Sequence, residues 1–341
     1  MKKLNSLCAS LLVTLAASAQ TATYTNPVIN RSAPDPTVVR ADDGTFYLYS
    51  TEDVRNLPIY SSKNLVNWTF VGTAFTDASR PQWLPEGGIW APCINRVGSQ
   101  YVLYYSKSVW GGEWDAGIGV ATSLSPTGPF TDHGNMFISK GIGIQNCIDP
   151  FYIEDGGRKY LFWGSFHGIY GCELSDDGMS LKAGAKPQQV AGSFMEGTYI
   201  KRRGGYYYLF GSAGTCCDGE RSTYRVTVGR SRSLFGPYVD RQGRPLLDNN
   251  FEVMLHRNQR VIGPGHNAEL VTDAEGSDWL LYHGFSADSP DEGRKVWLDR
   301  VDWVDGWPHI MGASPSAVAA APVVEGMKNL TLSGLDPAHF E

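Results

Sequence analysis

A strand pattern that recurs five times along the chain constrains the fold more than any other feature of the sequence. Five short segments combine aromatic and aliphatic residues, and each follows Gly, Asp or Ser turn residues: GTFYLYST, SQYVLYYSK, RKYLFWGSF, GYYYLFGSA and SDWLLYHGF. Segments of this composition between turn residues are typical of β-strands. A second strand and a polar turn follow most of them, as in IYSSKNLVNW and VTVGRSRSLFGPY. The sequence therefore predicts five similar β units.

The spacing of these units indicates how they are arranged. Successive units begin roughly 50 to 70 residues apart, which is the size of a four-stranded propeller blade with its loops. No amphipathic segment with a period of 3.6 residues is long enough to form the crossover helix of a parallel sheet. We therefore predict an all-β, five-bladed β-propeller. Twin β-sandwiches are the alternative, but they would not explain a repeat shared by the whole chain.

Both ends of the chain are predicted to lie outside the propeller, which we expect to span residues 20–311. Residues 1–19 combine Lys2 and Lys3, a short apolar run and a final Ala-Ser-Ala. This is the pattern of a cleaved secretory signal peptide. We therefore expect a secreted or periplasmic protein. Residues 312–341 are too few for a further binding domain and are predicted to form a tail or an edge strand.

The composition narrows the possible partners. The formal net charge is −6, so nothing in the chain favours nucleic acid. No apolar stretch other than the N-terminal one is long enough to span a bilayer, and we expect no membrane insertion. Abundant Gly, Tyr and Trp with few charges suit an all-β enzyme or a lectin. We expect a monomer.

Five cysteines remain after the predicted signal peptide, and their number and spacing do not indicate a disulfide framework or a zinc site: Cys93, Cys147, Cys172, Cys216 and Cys217. A domain of this size buries enough core without disulfides, so most of them are predicted to be packed thiols. Adjacent cysteines can pair with each other only through a strained ring. The sequence leaves the state of the last two open.

Three acidic residues precede the aromatic strands at comparable places. Asp35 lies between two prolines in APDPTVV, Asp149 precedes a proline in CIDPFYI, and Glu196 lies in SFMEGTYI. Each alone is typical of a turn or a solvated loop. A propeller, however, gathers one strand of every blade around a single axis, so we expect the three to share one site. Two carboxyl groups, one protonated and one ionised, are the minimum for hydrolysing a glycosidic bond, and a third can keep the acid protonated.

With these motifs the whole mature chain resembles family 43 of the glycoside hydrolases, five-bladed propeller enzymes that act on arabinose- or xylose-containing plant polysaccharides. The resemblance implies an enzyme that inverts configuration. It implies that Asp35 is the base, that Asp149 modulates the pKa of the acid and orients it, and that Glu196 is the general acid. The chain departs from the family pattern at Thr198, which stands where the family usually has proline.

Three further residues take a role from the same resemblance. Trp90 in GIWAP would stack against a sugar ring, and a tryptophan packed under a blade is the alternative. Arg294 in EGRKVW would reach a sugar hydroxyl, and a surface arginine paired with Asp291 or Glu292 is the alternative. His266 in GPGHN would help to surround a calcium ion whose other ligands are mostly water. A histidine that only forms hydrogen bonds is the alternative there.

The resemblance leaves the substrate open between related linkages. The segments CCDGERSTYRV and GPGHN look like the arabinanase branch of the family, which favours α-1,5-linked arabinan as the substrate. The GRKV segment leaves room for an exo-acting arabinofuranosidase or a β-xylosidase. A propeller that binds carbohydrate without catalysis is the alternative of another class. Such a protein would not need all three acids, so we predict an enzyme.

Overall fold

The computed structural model describes residues 22–327, and these fold almost entirely into β-strands. The predicted signal peptide and residues 328–341 lie outside the described residues. Within residues 22–327, no helix has the length and apolar character needed to cross a membrane. Twenty-one of the strands form five sheets that follow one another along the chain. The prediction of an all-β, five-bladed propeller is confirmed.

The first three sheets each contain four antiparallel strands in sequence order. A short strand, β1 (Thr23–Thr25), precedes them. Blade 1 comprises β2 (Thr37–Arg40), β3 (Phe46–Tyr49), β4 (Pro58–Ser62) and β5 (Thr69–Thr73). Blade 2 comprises β6 (Gly88–Val97), β7 (Gln100–Ser108), β8 (Gly117–Ser123) and β9 (Thr131–Ile138). The short helix α1 (Ser139–Ile142) then leads to blade 3, with β10 (Phe151–Asp155), β11 (Arg158–Trp163), β12 (Ile169–Glu173) and β13 (Gln188–Ala191).

The last two sheets complete the ring, and blade 5 has a divided inner strand. Blade 4 comprises β14 (Met195–Arg203), β15 (Tyr206–Ala213), β16 (Arg225–Ser231) and β17 (Glu252–Leu255). In blade 5, β18 (Val261–Gly265) and β19 (Val271–Thr272) both pair with β20 (Asp278–Ser286), followed by β21 (Arg294–Val304) and β22 (Trp307–Ile310). Single 3₁₀ turns lie at Gly219–Arg221, Leu246–Asp248, Pro290–Glu292 and Met311–Ala313. Finally β23 (Val318–Ala320) pairs with β1 in a separate sheet.

The five aromatic segments of the sequence form the second strand of each blade. These strands are paired on both sides within their own sheet and covered by the neighbouring blades, so they are buried along nearly their whole length, as β7 illustrates. Each is joined to the inner strand by a hairpin turn with a glycine at positive φ: Gly44, Gly98, Gly157, Gly205 and Gly276. Only glycine adopts this conformation without steric cost, which is why glycine precedes every aromatic segment by a few residues.

Aromatic rings from adjacent blades pack against one another between the sheets. Tyr104 of blade 2 stacks on Tyr152 of blade 3 at 5.5 Å between ring centroids, and Phe151 of blade 3 meets Tyr199 of blade 4 edge-on at 5.3 Å. Such pairs contribute about 0.5–1.5 kcal/mol each beyond the area they bury. The hydrophobic core is therefore a ring of blade interfaces rather than a single central cluster.

The ring closes through contacts between blade 5 and the beginning of the chain. The half-buried side chain of Glu269, beside the inner strand of blade 5, accepts hydrogen bonds from Thr37 Oγ1 and the Val38 amide of blade 1, both at 2.8 Å. The backbone before β2 also lies along β21, where the Val28 amide donates to the Val296 carbonyl. The first and last blades are thus held together by polar groups as well as by packing.

The described cysteines occur in two states. Cys93, Cys147 and Cys172 are free, buried thiols, in agreement with the prediction of packed thiols. Cys216 and Cys217 form a disulfide with each other in the loop between β15 and β16.

Candidate active site

In or next to the inner strand of every blade, a residue in the left-handed backbone conformation takes part in the contacts between neighbouring blades. These residues, with φ values from 38° to 63°, are Asp35, Ala91, Asp149, Gly197 and His266. Proline follows the first three of them. Residues other than glycine rarely adopt this conformation, which costs on the order of 1–3 kcal/mol unless the surroundings enforce it. Four such residues in one ring therefore indicate a strained layer, and two of the three predicted acids belong to it.

Hydrogen bonds from blade to blade hold four of these five residues in place. In each case the backbone amide donates to a side chain at the end of the second strand of the preceding blade. The pairs are Ala91 with Thr51 Oγ1 (2.7 Å), Asp149 with Ser106 Oγ (2.8 Å), His266 with Ser212 Oγ (2.7 Å) and Asp35 with His283 Nδ1 (3.0 Å). At the fifth junction the Gly197 amide donates instead to Asp149 Oδ2 at 3.1 Å. The ring of hydrogen bonds thus changes its pattern only beside Glu196.

Asp35 lies among groups that favour its ionised form. Its Oδ1 is 3.0 Å from Arg294 Nη1, 3.1 Å from His283 Nδ1 and 3.3 Å from His266 Nδ1, and its Oδ2 accepts the Thr51 hydroxyl at 2.6 Å. Burial by itself would raise the pKa of Asp35. The Arg294 guanidinium, with His266 and His283, outweighs burial and holds this pKa well below its usual range.

The two imidazoles beside Asp35 are themselves held towards the neutral form. Burial lowers the pKa of His266, and it lowers the pKa of His283 to about 4, while the nearby carboxylate of Asp35 opposes the change in both. The permanent cation beside Asp35 is therefore Arg294, because an arginine side chain stays protonated in proteins.

Asp149 and Glu196 have the opposite electrostatic environment. Within residues 22–327 no Lys or Arg forms an ion pair with either carboxyl group. Burial raises the pKa of Asp149 well above its usual value, and the negative charges of Glu196 and Asp35 raise it further. Burial also raises the pKa of Glu196, although hydrogen bonds from Ser165 Oγ to Oε2 (2.6 Å) and from the Tyr224 hydroxyl to Oε1 (2.9 Å) oppose the change. The site therefore combines one carboxylate with a pair of carboxyl groups that retains a proton.

The structure brings most of the predicted site residues together. His266 Nδ1 lies 3.3 Å from Asp35 and 4.0 Å from Asp149, and the Gly197 amide connects Asp149 to the strand that carries Glu196. Arg294 contacts Asp35 directly. Arg294 therefore pairs with Asp35 and not with Asp291 or Glu292, and Glu292 pairs with Lys295.

Trp90 lies in β6 and is not fully covered by the surrounding blades. It is half-buried, and its ring lies 5.5 Å from that of Trp110, which follows β7. Trp110 is 79% exposed, so this pair presents an open aromatic surface to solvent. Trp110 was not among the residues predicted from the sequence.

Sequence reasoning also missed four polar residues that contact the acids: Thr51, Ser165, Tyr224 and His283. A signal was present for three of them, because every aromatic segment has Ser, Thr or His within its last three residues, as in YST, GSF and HGF. The position of these residues at the end of the second strand places them beside the inner strand. Tyr224 had no comparable signal, since it lies in a long loop before β16.

The described residues do not form a preassembled metal site. Among residues 22–327 no group of three or more His, Cys, Asp or Glu is arranged to hold an ion. Two buried oxygen atoms near the left-handed layer have no hydrogen-bond partner, namely Oδ1 of Asn267, which follows His266, and Oγ1 of Thr198, which follows Gly197. Neutral oxygens of this kind suit calcium or the water molecules around it. The residues present therefore fit a calcium ion only if water supplies most of its ligands.

Comparisons with known proteins agree with this architecture. Residues 24–308 match the family model described as glycosyl hydrolases family 43. The chain is 34% identical to an extracellular exo-α-(1→5)-L-arabinofuranosidase of Cellvibrio japonicus, over 81% of this chain and 85% of that protein. It is 32% identical to an extracellular endo-α-(1→5)-L-arabinanase of Bacillus subtilis, over 89% of this chain and 94% of that protein.

The solved structures give the same result at the level of the fold. The structure of a Cellvibrio cellulosa α-L-arabinanase complexed with arabinohexaose superposes with a TM-score of 0.74 at 32% sequence identity. The match covers 82% of this chain and 95% of that chain.

Proposed function

Because the chain belongs to family 43 of the glycosyl hydrolases, we propose that it cleaves α-1,5-linked L-arabinofuranosyl bonds of arabinan with inversion of configuration. It is a glycoside hydrolase, and the relatives that act on this linkage by name support arabinan as the substrate. One observation carries the mechanism: Asp35 and Glu196 are both buried, yet the pKa of Asp35 is lowered and that of Glu196 is raised. An inverting glycosidase needs one ionised and one protonated carboxyl group.

In the proposed reaction, Asp35 acts as the base. Its carboxylate removes a proton from a water molecule, whose oxygen forms a bond to the anomeric carbon. At the same time the bond between that carbon and the leaving oxygen breaks, and Glu196 transfers its proton to the leaving oxygen. Inversion requires room for the water, so the carboxyl groups of Asp35 and Glu196 should be about 6.5–9.5 Å apart.

Asp149 supports the acid in two ways in this mechanism. Its Oδ2 accepts the Gly197 amide, which fixes the backbone next to Glu196. Its charge also interacts with that of Glu196, so the two groups together hold a proton to higher pH than an isolated carboxyl group would. Arg294 both favours the ionised base and can donate to sugar hydroxyls from its remaining N–H groups.

Trp90 and Trp110 supply the proposed contact surface for the sugar chain. Aromatic rings bind the apolar faces of sugar rings, and the exposed ring of Trp110 extends the surface of Trp90 towards solvent. A chain longer than one sugar would therefore gain contacts beyond the site of cleavage.

Product analysis tests the proposed function. The protein is incubated with debranched arabinan, sugar-beet arabinan and xylo-oligosaccharides, and the products are separated by chromatography. A series of arabino-oligosaccharides indicates cleavage within the chain, and one short product indicates cleavage from an end. The anomeric form of the first product, followed by NMR, reports inversion or retention. Release of xylose alone would contradict the arabinan assignment, and no release from any substrate would favour a binding protein.

A calcium ion beside His266 is part of the proposal. When bound, it would supply positive charge near the acids. Because a ligand of the folded state raises its stability, a chelator should lower the melting temperature and calcium should restore it. The matched variant His266→Ala should melt at the same temperature with and without chelator. If the unmodified protein shows no response to chelator, His266 is only a hydrogen-bonding residue.

Export is proposed from the pattern of residues 1–19 and from relatives that are named extracellular. Mass spectrometry of the protein from its host would find a mature N-terminus at Gln20 if the predicted cleavage occurs.

A further inference from the structure

The junction between blades 3 and 4 departs from the rule that the other four junctions follow. Elsewhere the side chain at the end of the second strand accepts a hydrogen bond from the backbone amide of the left-handed residue in the next blade. At this junction that side chain is Ser165, and its hydroxyl donates a hydrogen bond to Glu196 Oε2. The Gly197 amide donates its hydrogen bond to Asp149 Oδ2 instead. The repeat is therefore modified at the one place where it meets the acid, and the modification places a hydroxyl on the Glu196 carboxyl group.

A second hydroxyl reaches the other oxygen of the same carboxyl group. Tyr224 is buried and donates to Glu196 Oε1 at 2.9 Å. Its ring is stacked on His283, with centroids 5.5 Å apart and planes inclined by 11°. On another side it packs against Gly265, where a Cβ atom would lie 2.1 Å from the Tyr224 ring. Tyr224 thus has little freedom to move, and it joins Glu196 to the histidine that binds the Asp35 amide.

We propose that Ser165 and Tyr224 are positioning residues that clamp both oxygens of the Glu196 carboxyl group and orient it for proton donation. This inference rests on the proposed function, in which Glu196 is the general acid. With both oxygens engaged, the carboxyl group cannot rotate freely. The leaving oxygen therefore meets the proton in one orientation, which is the main benefit of a pre-organised group in catalysis.

The clamp also suits the charge that develops during the reaction. As Glu196 passes its proton to the leaving oxygen, its carboxyl group becomes a carboxylate. Hydrogen bonds from Ser165 and Tyr224 to a carboxylate are stronger than those to the neutral acid, so the clamp strengthens in the transition state. The Tyr224 hydroxyl keeps its own proton, because burial raises the pKa of Tyr224 well above its usual value.

The experiment compares two substrates that differ only in the leaving group. The variants Tyr224→Phe and Ser165→Ala are assayed on an arabino-oligosaccharide and on the matching dinitrophenyl arabino-oligosaccharide, whose leaving group departs without a proton. On the oligosaccharide, kcat should fall about 10- to 100-fold with little change in KM. On the aryl substrate the fall should be less than about threefold.

Tyr238→Phe is the matched control. It also removes a buried hydroxyl in blade 4, but that hydroxyl donates to the Leu234 carbonyl at 2.7 Å and does not contact the site. It should lower the melting temperature without making the rate depend on the leaving group. If Tyr224→Phe and Ser165→Ala both slow the two substrates equally, their role is structural and the clamp is refuted.

Combination with Glu196→Gln separates this inference from the proposed function. If Glu196→Gln alone shows no dependence on the leaving group, Glu196 is not the acid, and both the mechanism and the clamp fail. If Glu196→Gln shows the dependence, adding Tyr224→Phe should cause no further loss on the oligosaccharide, because there is no proton left to position. A full additional loss in the double variant would refute the clamp and leave the mechanism intact.

Discussion

Asp35 and Glu196 occupy two halves of one site, and the two halves differ in charge rather than in burial. Their exposed fractions are 8% and 7%, so both lose nearly all of their contact with solvent. Around Asp35, blade 5 supplies the Arg294 guanidinium and two imidazoles. Around Glu196, blades 3 and 4 supply the neutral hydroxyls of Ser165 and Tyr224 and the acidic side chain of Asp149.

The comparison indicates what sets the protonation of a buried carboxyl group. Burial favours the neutral acid in both halves, and only the half that contains a permanent cation reverses this preference. A single site of a propeller can therefore hold both a base and an acid. The following predictions, ordered from the largest expected effect to the smallest, test this difference.

Asp35→Asn should cause the largest loss. Without the carboxylate no group accepts the proton of the attacking water, so kcat should fall by about 10³ to 10⁴. The loss should be the same on natural and aryl substrates, because water attacks in both. Measured rates on the two substrates check this, with the melting temperature as a control for folding. A loss on one substrate only would assign Asp35 another role.

Glu196→Gln should lower kcat by about 10² to 10³ on an arabino-oligosaccharide and far less on an aryl substrate with a good leaving group. Unlike Asp35→Asn, this variant should show a rate loss that depends on the leaving group, because the two halves of the site have different roles. Rates measured on both substrates check this prediction, and the two variants should be compared at the same pH. Identical dependence on the leaving group in the two variants would show that the roles are assigned incorrectly.

Arg294→Met should make the surroundings of Asp35 resemble those of Glu196, because it removes the cation next to Asp35. Removal of the cation raises the pKa of Asp35, so the base is protonated over a wider acidic range. The acidic limb of the kcat/KM profile should therefore move to higher pH, with a loss of about tenfold or more on that limb. Arg300→Met is the control, since it removes an arginine of the same strand that pairs with Asp302. An unchanged acidic limb would mean that Arg294 only binds substrate.

Asp149→Asn should cause the smallest change, in the acid half. Loss of the neighbouring negative charge lets Glu196 ionise at lower pH, so the basic limb of the pH profile should move to lower pH. Asparagine can still accept the Gly197 amide through its side-chain oxygen, so the backbone should stay in place. A shift of the basic limb to higher pH would contradict the proposed coupling between Asp149 and Glu196.

The fold could be predicted from the sequence because its causes are local. Each aromatic segment and the glycine turn before it lie within about ten residues of one another, and the hairpin forms from neighbours in the chain. The five-fold recurrence then indicates the propeller. The candidate acids were found for a similar reason, since Asp35 and Asp149 each stand at a marked turn before proline. Glu196 differs slightly, because it lies one residue before the left-handed position that the aspartates occupy.

The contacts of the acids could not be predicted in the same way. Tyr224 follows a loop of ten residues after β15, and nothing in the sequence around it indicates that it contacts Glu196. The imidazole of His283 meets the Asp35 amide across 248 positions of the chain. Ser165 looks like the Ser and Thr residues at the other junctions, and only its neighbours in space explain why it binds a carboxyl group instead of an amide.

The sequence by itself determined the strands, their turns, the number of blades and the presence of three acids at the blade starts. Only the tertiary structure decided which of those acids is ionised and which retains a proton. The physical reason is distance: strand and turn preferences depend on residues adjacent in the chain, whereas the pKa of a buried carboxyl group depends on charges and hydrogen bonds within a few ångströms. In a closed ring of blades, Arg294 comes within 3.0 Å of Asp35 from the opposite end of the chain.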